Sequence, residues 1–333
     1  MDKLEEDVVA ASNVSQPVLV ETRRHEKYDR LLAAAKALPR LRVAVAHPCD
    51  ATSLGATLEA ASLGLIDPIL VGPPAKIAAT ANSLKADLSG FRIVDAPHSH
   101  AAAEKAVALV RAGEAEALMK GSLHTDELMA AVVRRDGGLR TARRVSHCFV
   151  MDVPSHESAL IVTDAAINIA PTLEDKVDIV QNAIDLAHAL GVETVRVAIL
   201  SAMETVNSKV PSTIEAAALC KMADRGQITG GILDGPLALD NAIDLGAAQI
   251  KNIRSPVAGQ ANVLVVPDLE AGNMLAKSLT FLADADAAGI VLGARVPIIL
   301  TSRADSQITR LASCAVASLV AEAQRAKLAL PKV

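Results

Sequence analysis

The stretch RVAVAHPCDATSLGATLEAASLGLIDPILVG, residues 42–72, carries the pattern that decides the fold. Its two apolar runs, at residues 42–47 and 68–72, are typical of buried strands. Residues 52–63 between them repeat apolar side chains at helical spacing. Because a helical crossover joins parallel neighbours in a sheet, the stretch predicts a βαβ unit.

The same alternation of apolar runs and helical periods recurs along the whole chain. It restarts within residues 154–168 and closes with a long helix at 307–327. A chain of 333 residues also exceeds the size at which single hydrophobic cores stop growing. We therefore expect an α/β fold with two doubly wound α/β domains, one formed by residues 26–160 plus 306–333 and the other by 161–305. Residues 1–25 are expected to form a polar N-terminal tail.

The amino-acid composition indicates what the core is made of and argues against one class of function. Hydrophobic residues make up 51% of the chain and aromatic residues only 1%, so the core must consist of Ala, Val, Leu and Ile. Few aromatic side chains and a net charge of −5 argue against nucleic-acid binding, which uses aromatic stacking and excess positive charge. The mildly acidic balance is typical of a soluble protein.

Cysteine spacing and the N-terminus indicate a cytoplasmic protein. The four cysteines lie far apart without a CxxC pair, which argues against a zinc site or a disulfide framework. The start MDKLEEDVVA is acidic and has no apolar core of a secretory signal. No run of about 18 uncharged apolar residues occurs, so we expect no membrane span.

Candidate functional residues follow the apolar runs, because ligands of doubly wound sheets bind outside the carboxyl ends of the strands. The motifs GxSxG, GxxxxGK[ST], GxGxxG and HExxH are absent, which removes the usual basis for hydrolase, P-loop, dinucleotide-binding and zincin assignments. The polar residues that follow the runs are Lys120, Gly121, Ser122, Asp164, Ser201, Asp234, Asp268, Ser302 and Arg303.

Five segments together resemble the phosphate acetyltransferase and phosphate butyryltransferase family. The longest is SPVAGQANVLVVPDLEAGN at residues 255–273. The other four also occur in the family's order: MKGSLHTDELMAAV, GLRTARRVSH, LDGPLALDNAI and PIILTSRADS. The resemblance extends over roughly residues 41–326, nearly the whole chain.

The resemblance implies an acyltransferase with the reaction acyl-CoA + phosphate ⇌ acyl phosphate + CoA. It implies two α/β domains like those of isocitrate and isopropylmalate dehydrogenases, with the site in the interdomain cleft and a homodimer as the assembly. The coenzyme A thioester is then a substrate, and neither a metal nor a redox cofactor is expected.

The segment PIILTSRADS supplies the expected catalytic residues. A guanidinium binds two phosphate oxygens at once, so Arg303 is the expected phosphate ligand. Ser302 resembles the family serine thought to hydrogen-bond the reacting carbonyl or phosphate. The acetyltransferase branch has an Asp where this chain has Thr309, whereas Asp305 matches the TSRADS form of the butyryltransferase-like branch. We therefore expect Asp305 to be the base that takes the proton of the CoA thiol.

Further substrate contacts are expected outside that segment. Lys120 and Gly121 resemble the family's site loop, where glycine lets a ligand approach the backbone. Thr125, Arg140 and Asn273 are the other expected binding residues, Arg140 as a second candidate ligand for phosphate or for the phosphates of CoA.

Structural and functional alternatives stay open for these residues. Asp305 and Ser306 precede a helix, where Asp and Ser are ordinary N-caps. Arg303 could instead form a surface salt bridge, Lys120 could be solvated, and Thr125 could cap a helix. At the level of function, the alternatives are a metal- and NAD-dependent decarboxylating dehydrogenase on the same fold, or a CoA-binding protein without turnover.

Overall fold

A computed structural model describes residues 25–302 and 305–329. These residues form eleven helices and eleven strands. The helices are α1 (Glu26–Lys36), α2 (Ala51–Ser62), α3 (Pro74–Ser83), α4 (Ser99–Arg111), α5 (Thr125–Val132), α6 (Leu173–Ala189), α7 (Pro211–Asp224), α8 (Leu239–Ile243), α9 (Leu245–Ile250), α10 (Leu269–Leu282) and α11 (Gln307–Ala329). The strands are β1 (Leu41–Ala46), β2 (Ile66–Gly72), β3 (Arg92–Asp95), β4 (Ala117–Lys120), β5 (Ser146–Asp152), β6 (Leu160–Thr163), β7 (Arg196–Leu200), β8 (Ile232–Leu237), β9 (Val263–Val265), β10 (Asp286–Leu292) and β11 (Ile298–Ile299).

All the strands belong to one mixed sheet with the order β3-β2-β1-β4-β11-β10-β5-β6-β9-β7-β8. The first five strands of that order are mutually parallel, as are the last four. Strands β10 and β5 between them pair antiparallel with each other and with both sets. The predicted α/β class is confirmed.

The two parallel sets run in opposite directions, because three antiparallel pairings separate β11 from β6. Their carboxyl ends therefore lie at opposite edges of the sheet. We call the edge with the carboxyl ends of β1, β4 and β11 the first edge. The second edge has the carboxyl ends of β6, β7, β8 and β9. This arrangement decides which of the predicted site residues can meet.

One local expectation was wrong. The regular alternation predicted parallel pairing throughout, but the connections β5–β6 and β10–β11 are too short for a helical crossover, so those pairs are antiparallel. Residues 237–250 form the end of β8 followed by two short helices, α8 and α9. They meet at Asp244, whose backbone is extended and whose carboxylate accepts from the Ala247 N–H at 2.6 Å.

The core is built from small aliphatic side chains, as the composition predicted. Alternate residues of β1 point to two different apolar clusters, with Val43 and Val45 in one and Ala44 and Ala46 in the other. Helix α11 packs against β10, α1 and α2 and so covers one face of the sheet. Helix α4 packs against β1 and β2, in the cluster on the other face.

In the part of the chain that the structure describes, none of the helices combines the length and apolar character needed to cross a membrane.

Candidate active site

The first edge begins with two interlocked loops after β1 and β4. The Gly121 N–H donates to the Ala46 carbonyl at 2.9 Å, and the Ser122 N–H donates to the His47 carbonyl at 2.8 Å. A Cβ on Gly121 would lie 2.4 Å from the Ala46 oxygen and 2.6 Å from the His47 oxygen. Glycine is therefore required at residue 121 by close backbone packing, whatever a ligand needs there.

Lys120 ends β4 as a buried cation rather than a solvated one. Its side chain is only 7% exposed. The ammonium donates to the Leu123 carbonyl at 3.2 Å and to the Gly121 carbonyl at 3.4 Å. The side chain therefore places a buried positive charge at the carboxyl end of β4.

Ser302 and Asp305 are hydrogen-bonded to each other just after β11 ends. The Ser302 N–H donates to Asp305 Oδ2 at 2.6 Å, and the Asp305 N–H donates to the Ser302 carbonyl at 3.3 Å. Because β11 pairs parallel with β4, these residues follow a strand that ends beside Lys120. Ser302 is exposed and Asp305 is half-buried, so a ligand can reach the serine.

The pKa of the Asp305 carboxyl is raised above its ordinary value, chiefly because burial disfavours the charged form. The hydrogen bond from the Ser302 N–H and the positive charges of Arg310 and Lys120 lower the pKa in part. A carboxylate with a raised pKa is a better proton acceptor than a solvated one, which is the property that a general base needs.

The helix cap that follows is formed by Ser306. Its hydroxyl oxygen accepts from the Thr309 N–H at 3.1 Å, as an N-cap side chain does. The carboxylate of Asp305 bonds back to Ser302 instead. Thr309, at the position where the acetyltransferase branch has an Asp, is buried and accepts a hydrogen bond from the Ser306 hydroxyl at 3.1 Å.

Arg310 lies beneath the Ser302 loop and was missed by the sequence analysis. Its guanidinium donates to the Ser302 carbonyl at 2.6 Å and to the Thr301 hydroxyl at 3.1 Å. The side chain is only 5% exposed. One signal was present in the sequence, since a charged residue among the apolar positions Leu311, Ala312 and Cys314 rarely becomes buried without a specific partner.

Four predicted residues remain, namely Arg303, Thr125, Arg140 and Asn273. Arg303 lies outside the described residues. Thr125 is the first residue of α5, close in sequence to the Lys120 loop, and is half-buried. Helix α5 has its N-cap at His124, so Thr125 is not the cap residue.

Arg140 and Asn273 lie at the second edge. Arg140 forms an isolated bridge with Ala294, just beyond the end of β10, and is exposed. Asn273, in α10, donates its amide to the Ala165 carbonyl at 3.3 Å, just after β6 ends. The sheet therefore brings Ser302, Asp305, Lys120 and Gly121 to one edge but does not bring Arg140 and Asn273 to the same edge.

Asp164 organises the second edge. The residue is 3% exposed, and one carboxylate oxygen accepts from the N–H groups of Ala166 and Ile167 at 2.9 and 3.0 Å. The other oxygen accepts from the Asn168 N–H and side-chain amide at 3.2 and 2.6 Å. The carboxylate is thus fully used in shaping the turn after β6.

Within residues 25–302 and 305–329, no three His, Cys, Asp or Glu side chains are grouped so that they could hold a metal ion.

Comparison with known proteins points to one family. Residues 98–318 match the family described as Phosphate acetyl/butaryl transferase. A phosphate acetyltransferase of Rhizobium meliloti is 69% identical over 300 residues, which cover 90% of this chain and 95% of that protein. A phosphate butyryltransferase of Clostridium acetobutylicum is 41% identical over 296 residues, covering 89% of this chain and 98% of that protein.

A solved structure agrees with these sequence matches. The crystal structure of a branched-chain phosphotransacylase from Enterococcus faecalis V583 superimposes with a TM-score of 0.75 at 30% identity. The superposition covers 84% of this chain and 99% of that protein.

Proposed function

This chain belongs to the phosphate acetyltransferase and phosphate butyryltransferase family and is a phosphate acyltransferase, and we propose that it works by direct attack in a ternary complex. A phosphate oxygen attacks the thioester carbonyl of a short acyl-CoA, either acetyl-CoA or butyryl-CoA. The C–S bond then breaks, and the sulfur leaves with a proton as free CoA. The products are the acyl phosphate and CoA, and the reaction is reversible.

The observation that supports this mechanism is the reciprocal bonding of Ser302 and Asp305 beside two buried cations, Lys120 and Arg310. In the acyl phosphate to acyl-CoA direction, the thiol of CoA must lose a proton. Its ordinary pKa of about 8.5 leaves only a few per cent as thiolate at neutral pH. Asp305 is the proposed base, and such a base contributes about 10²–10⁴ in rate.

Ser302 and Arg303 have two different proposed roles. The Ser302 hydroxyl donates to the oxyanion that forms on the carbonyl carbon, and Arg303 binds phosphate through its guanidinium. Lys120 and Gly121 lie at the end of β4, the strand that pairs with β11, and Thr125 begins the helix that follows. Alignment of two bound substrates supplies a further large part of the rate, since effective molarities of well-oriented reactants reach about 10⁵ M or more.

Arg140 and Asn273 are proposed contacts of CoA rather than of phosphate. CoA is a long molecule with its thiol at one end and its phosphates at the other, so it contacts residues further from Ser302 than inorganic phosphate does. The thioester already activates the carbonyl carbon, so we propose that the reaction needs neither a resident metal ion nor a redox cofactor.

The proposed assembly and location follow from the resemblance to the family. We propose a homodimer in the cytoplasm, with two doubly wound domains related to the isocitrate and isopropylmalate dehydrogenase fold. We propose that residues 26–160 plus 306–333 form one of these domains and residues 161–305 the other, because the alternation of strands and helices restarts near this division. Light scattering on the purified chain tests the dimer, and a mass of one chain would contradict it.

The activity is tested by following phosphate-dependent release of CoA from acetyl-, propionyl- and butyryl-CoA. Relative kcat/KM across the three gives the preferred acyl length. Release of no CoA from any of them would refute the proposed reaction.

Three alanine variants test the residues. Ser302→Ala should lower kcat by about 10²-fold, because one oxyanion donor is lost. Arg303→Ala should mainly raise the KM for phosphate, whereas Arg140→Ala should raise the KM for acyl-CoA and leave the KM for phosphate unchanged. Wild-type constants in all three variants would refute the site assignment.

A further inference from the structure

Arg310 occupies an unusual place for a charged side chain. It lies on α11, a helix whose neighbouring positions Leu311, Ala312 and Cys314 are buried in the apolar core. The guanidinium is buried with them at 5% exposure. Its Nη2 donates to the Ser302 carbonyl at 2.6 Å and its Nη1 to the Thr301 hydroxyl at 3.1 Å.

The third nitrogen of this guanidinium is not satisfied by the residues that the structure describes. The Nε–H of Arg310 is inaccessible to water and has no hydrogen-bond partner among them. A buried donor without a partner destabilises a fold, and an apolar side chain of similar size in such a place is often neutral or stabilising. Stability alone therefore does not explain an arginine here, and its two bonds to the Ser302 loop become the informative feature.

Together with Asp305, these bonds hold the segment Thr301–Ser302 on both sides, and we call this arrangement the clamp. The N–H of Ser302 is bonded to the Asp305 carboxylate, and its carbonyl is bonded to Arg310. Thr301, just before it, is 2% exposed and bonded to the same guanidinium. The backbone that presents the serine hydroxyl is thus fixed from both sides by charged groups, and the arginine charge also acts on Asp305.

We propose that Arg310 is a positioning residue for acyl transfer, which fixes the Ser302 backbone through its carbonyl, and through that backbone the Asp305 carboxylate bonded to the Ser302 N–H, without touching substrate. This inference rests on the proposed function of Ser302 and Asp305. Displacement of a reacting group by about 1 Å can lower a rate about 10²-fold, so the clamp matters for turnover more than for substrate binding.

Two variants of Arg310 distinguish the effect of its hydrogen bonds from the effect of its charge. Arg310→Met removes both hydrogen bonds and the charge, so kcat should fall about 10²-fold while the KM values of phosphate and acyl-CoA change less than about twofold. It should also move the acid limb of the kcat/KM profile to higher pH, because a cation that lowers the pKa of Asp305 is gone. Arg310→Lys keeps the charge but not the two-pronged contact, so kcat should fall while the acid limb stays.

A matched control uses another buried cation. Lys176 is 4% exposed and pairs with Glu215, on helices α6 and α7. Lys176→Met also replaces a buried cation by an apolar side chain, but it should leave kcat and the acid limb unchanged for the folded fraction, whatever its effect on the unfolding midpoint. If Arg310→Met does not fold, Thr301→Val removes only the Nη1 acceptor with little change of shape, and kcat should fall about 3–10-fold.

A titration that does not depend on turnover keeps this inference separate from the proposed function. The ¹³C resonance of the Asp305 carboxyl, assigned by its loss in Asp305→Asn, should titrate at higher pH in Arg310→Met than in the wild type. If the wild type releases no CoA but this shift occurs, the proposed reaction fails and the electrostatic effect of Arg310 on Asp305 stands. Unchanged titration of Asp305, or a fall in kcat no larger than the fall in folded fraction, would overturn the positioning role.

Discussion

Replacing Gly121 by Ala tests whether the loop that carries Lys120 is held by backbone contact. The added Cβ would lie 2.4 Å from the Ala46 oxygen, where ordinary van der Waals contact begins at 3.4 Å. The obstacle is backbone rather than a flexible side chain, so the two loops must separate by about 1 Å. That movement also lengthens the 2.9 Å hydrogen bond from the Gly121 N–H to the Ala46 carbonyl.

The expected loss of stability in Gly121→Ala is the sum of the overpacking and the weakened hydrogen bond. Overpacking costs about 1–3 kcal/mol and a weakened backbone hydrogen bond costs about 1 kcal/mol. The free energy of unfolding should therefore fall by about 3 kcal/mol. With a urea m-value of about 3 kcal/mol/M, the unfolding midpoint should fall by about 1 M. Because Lys120 moves with the loop, kcat should fall by about 10²-fold.

Urea unfolding followed by circular dichroism, with kcat measured on the same preparations, checks both numbers. Gly90→Ala is the matched control, because a Cβ at Gly90 would meet none of the described atoms within 4 Å. Its unfolding free energy should stay within about 0.5 kcal/mol of the wild type. A Gly121→Ala variant with the wild-type midpoint and kcat would refute the interlocked-loop reasoning.

Three further predictions concern other parts of the molecule. Burial, opposed in part by the charge of Asp164, lowers the pKa of His147 to about 4 from 6.5. Between pH 6.5 and pH 4 the unfolded chain binds this proton and the folded chain does not. The unfolding free energy should therefore fall by about 3 kcal/mol over that range, and His147→Gln should reduce the fall. Burial also raises the pKa of all four cysteine thiols, to about 11 for Cys49 and about 12 for the others. The native protein should therefore react with a thiol reagent at about pH 8 far more slowly than the protein unfolded in urea. Rapid labelling of the folded chain would contradict this. Finally, Asp164→Asn places an amide donor against backbone N–H groups and should lower the unfolding free energy by about 3 kcal/mol, whereas Asp268→Asn should change it little, since Asn caps helices as well as Asp.

Local elements were predictable from sequence because their signals are local. The strand expected at residues 68–72 is β2 at Ile66–Gly72, and the closing helix expected at 307–327 is α11 at Gln307–Ala329. The start of α6 is marked in the same local way, by a capping box between Thr172 and Asp175. Period, caps and turn residues act within a few positions of the chain, so one sequence suffices to locate them.

The order of the strands was not predictable in the same way. Strands β10 and β11 insert between β4 and β5, far from them along the chain. That choice depends on which apolar faces pack together, and the strand sequences are too similar in their aliphatic composition to specify partners. The two-edge arrangement, which separates Arg140 and Asn273 from Ser302, follows only from this pairing.

The Ser302 loop shows why the chemistry of a site can be guessed before its geometry. Sequence reasoning left Asp305 and Ser306 as equivalent candidates for the cap of the last helix, because both residue types cap well. In the folded chain Ser306 supplies the cap, and the Asp305 carboxylate bonds to the Ser302 N–H. The carboxylate is therefore not needed to begin the helix, and its half-buried position beside Lys120 and Arg310 calls for another explanation. The proposed proton transfer to and from the CoA thiol would account for that position. The buried Thr309 cannot accept a proton at neutral pH, which leaves Asp305 as the carboxylate nearest the serine along this segment.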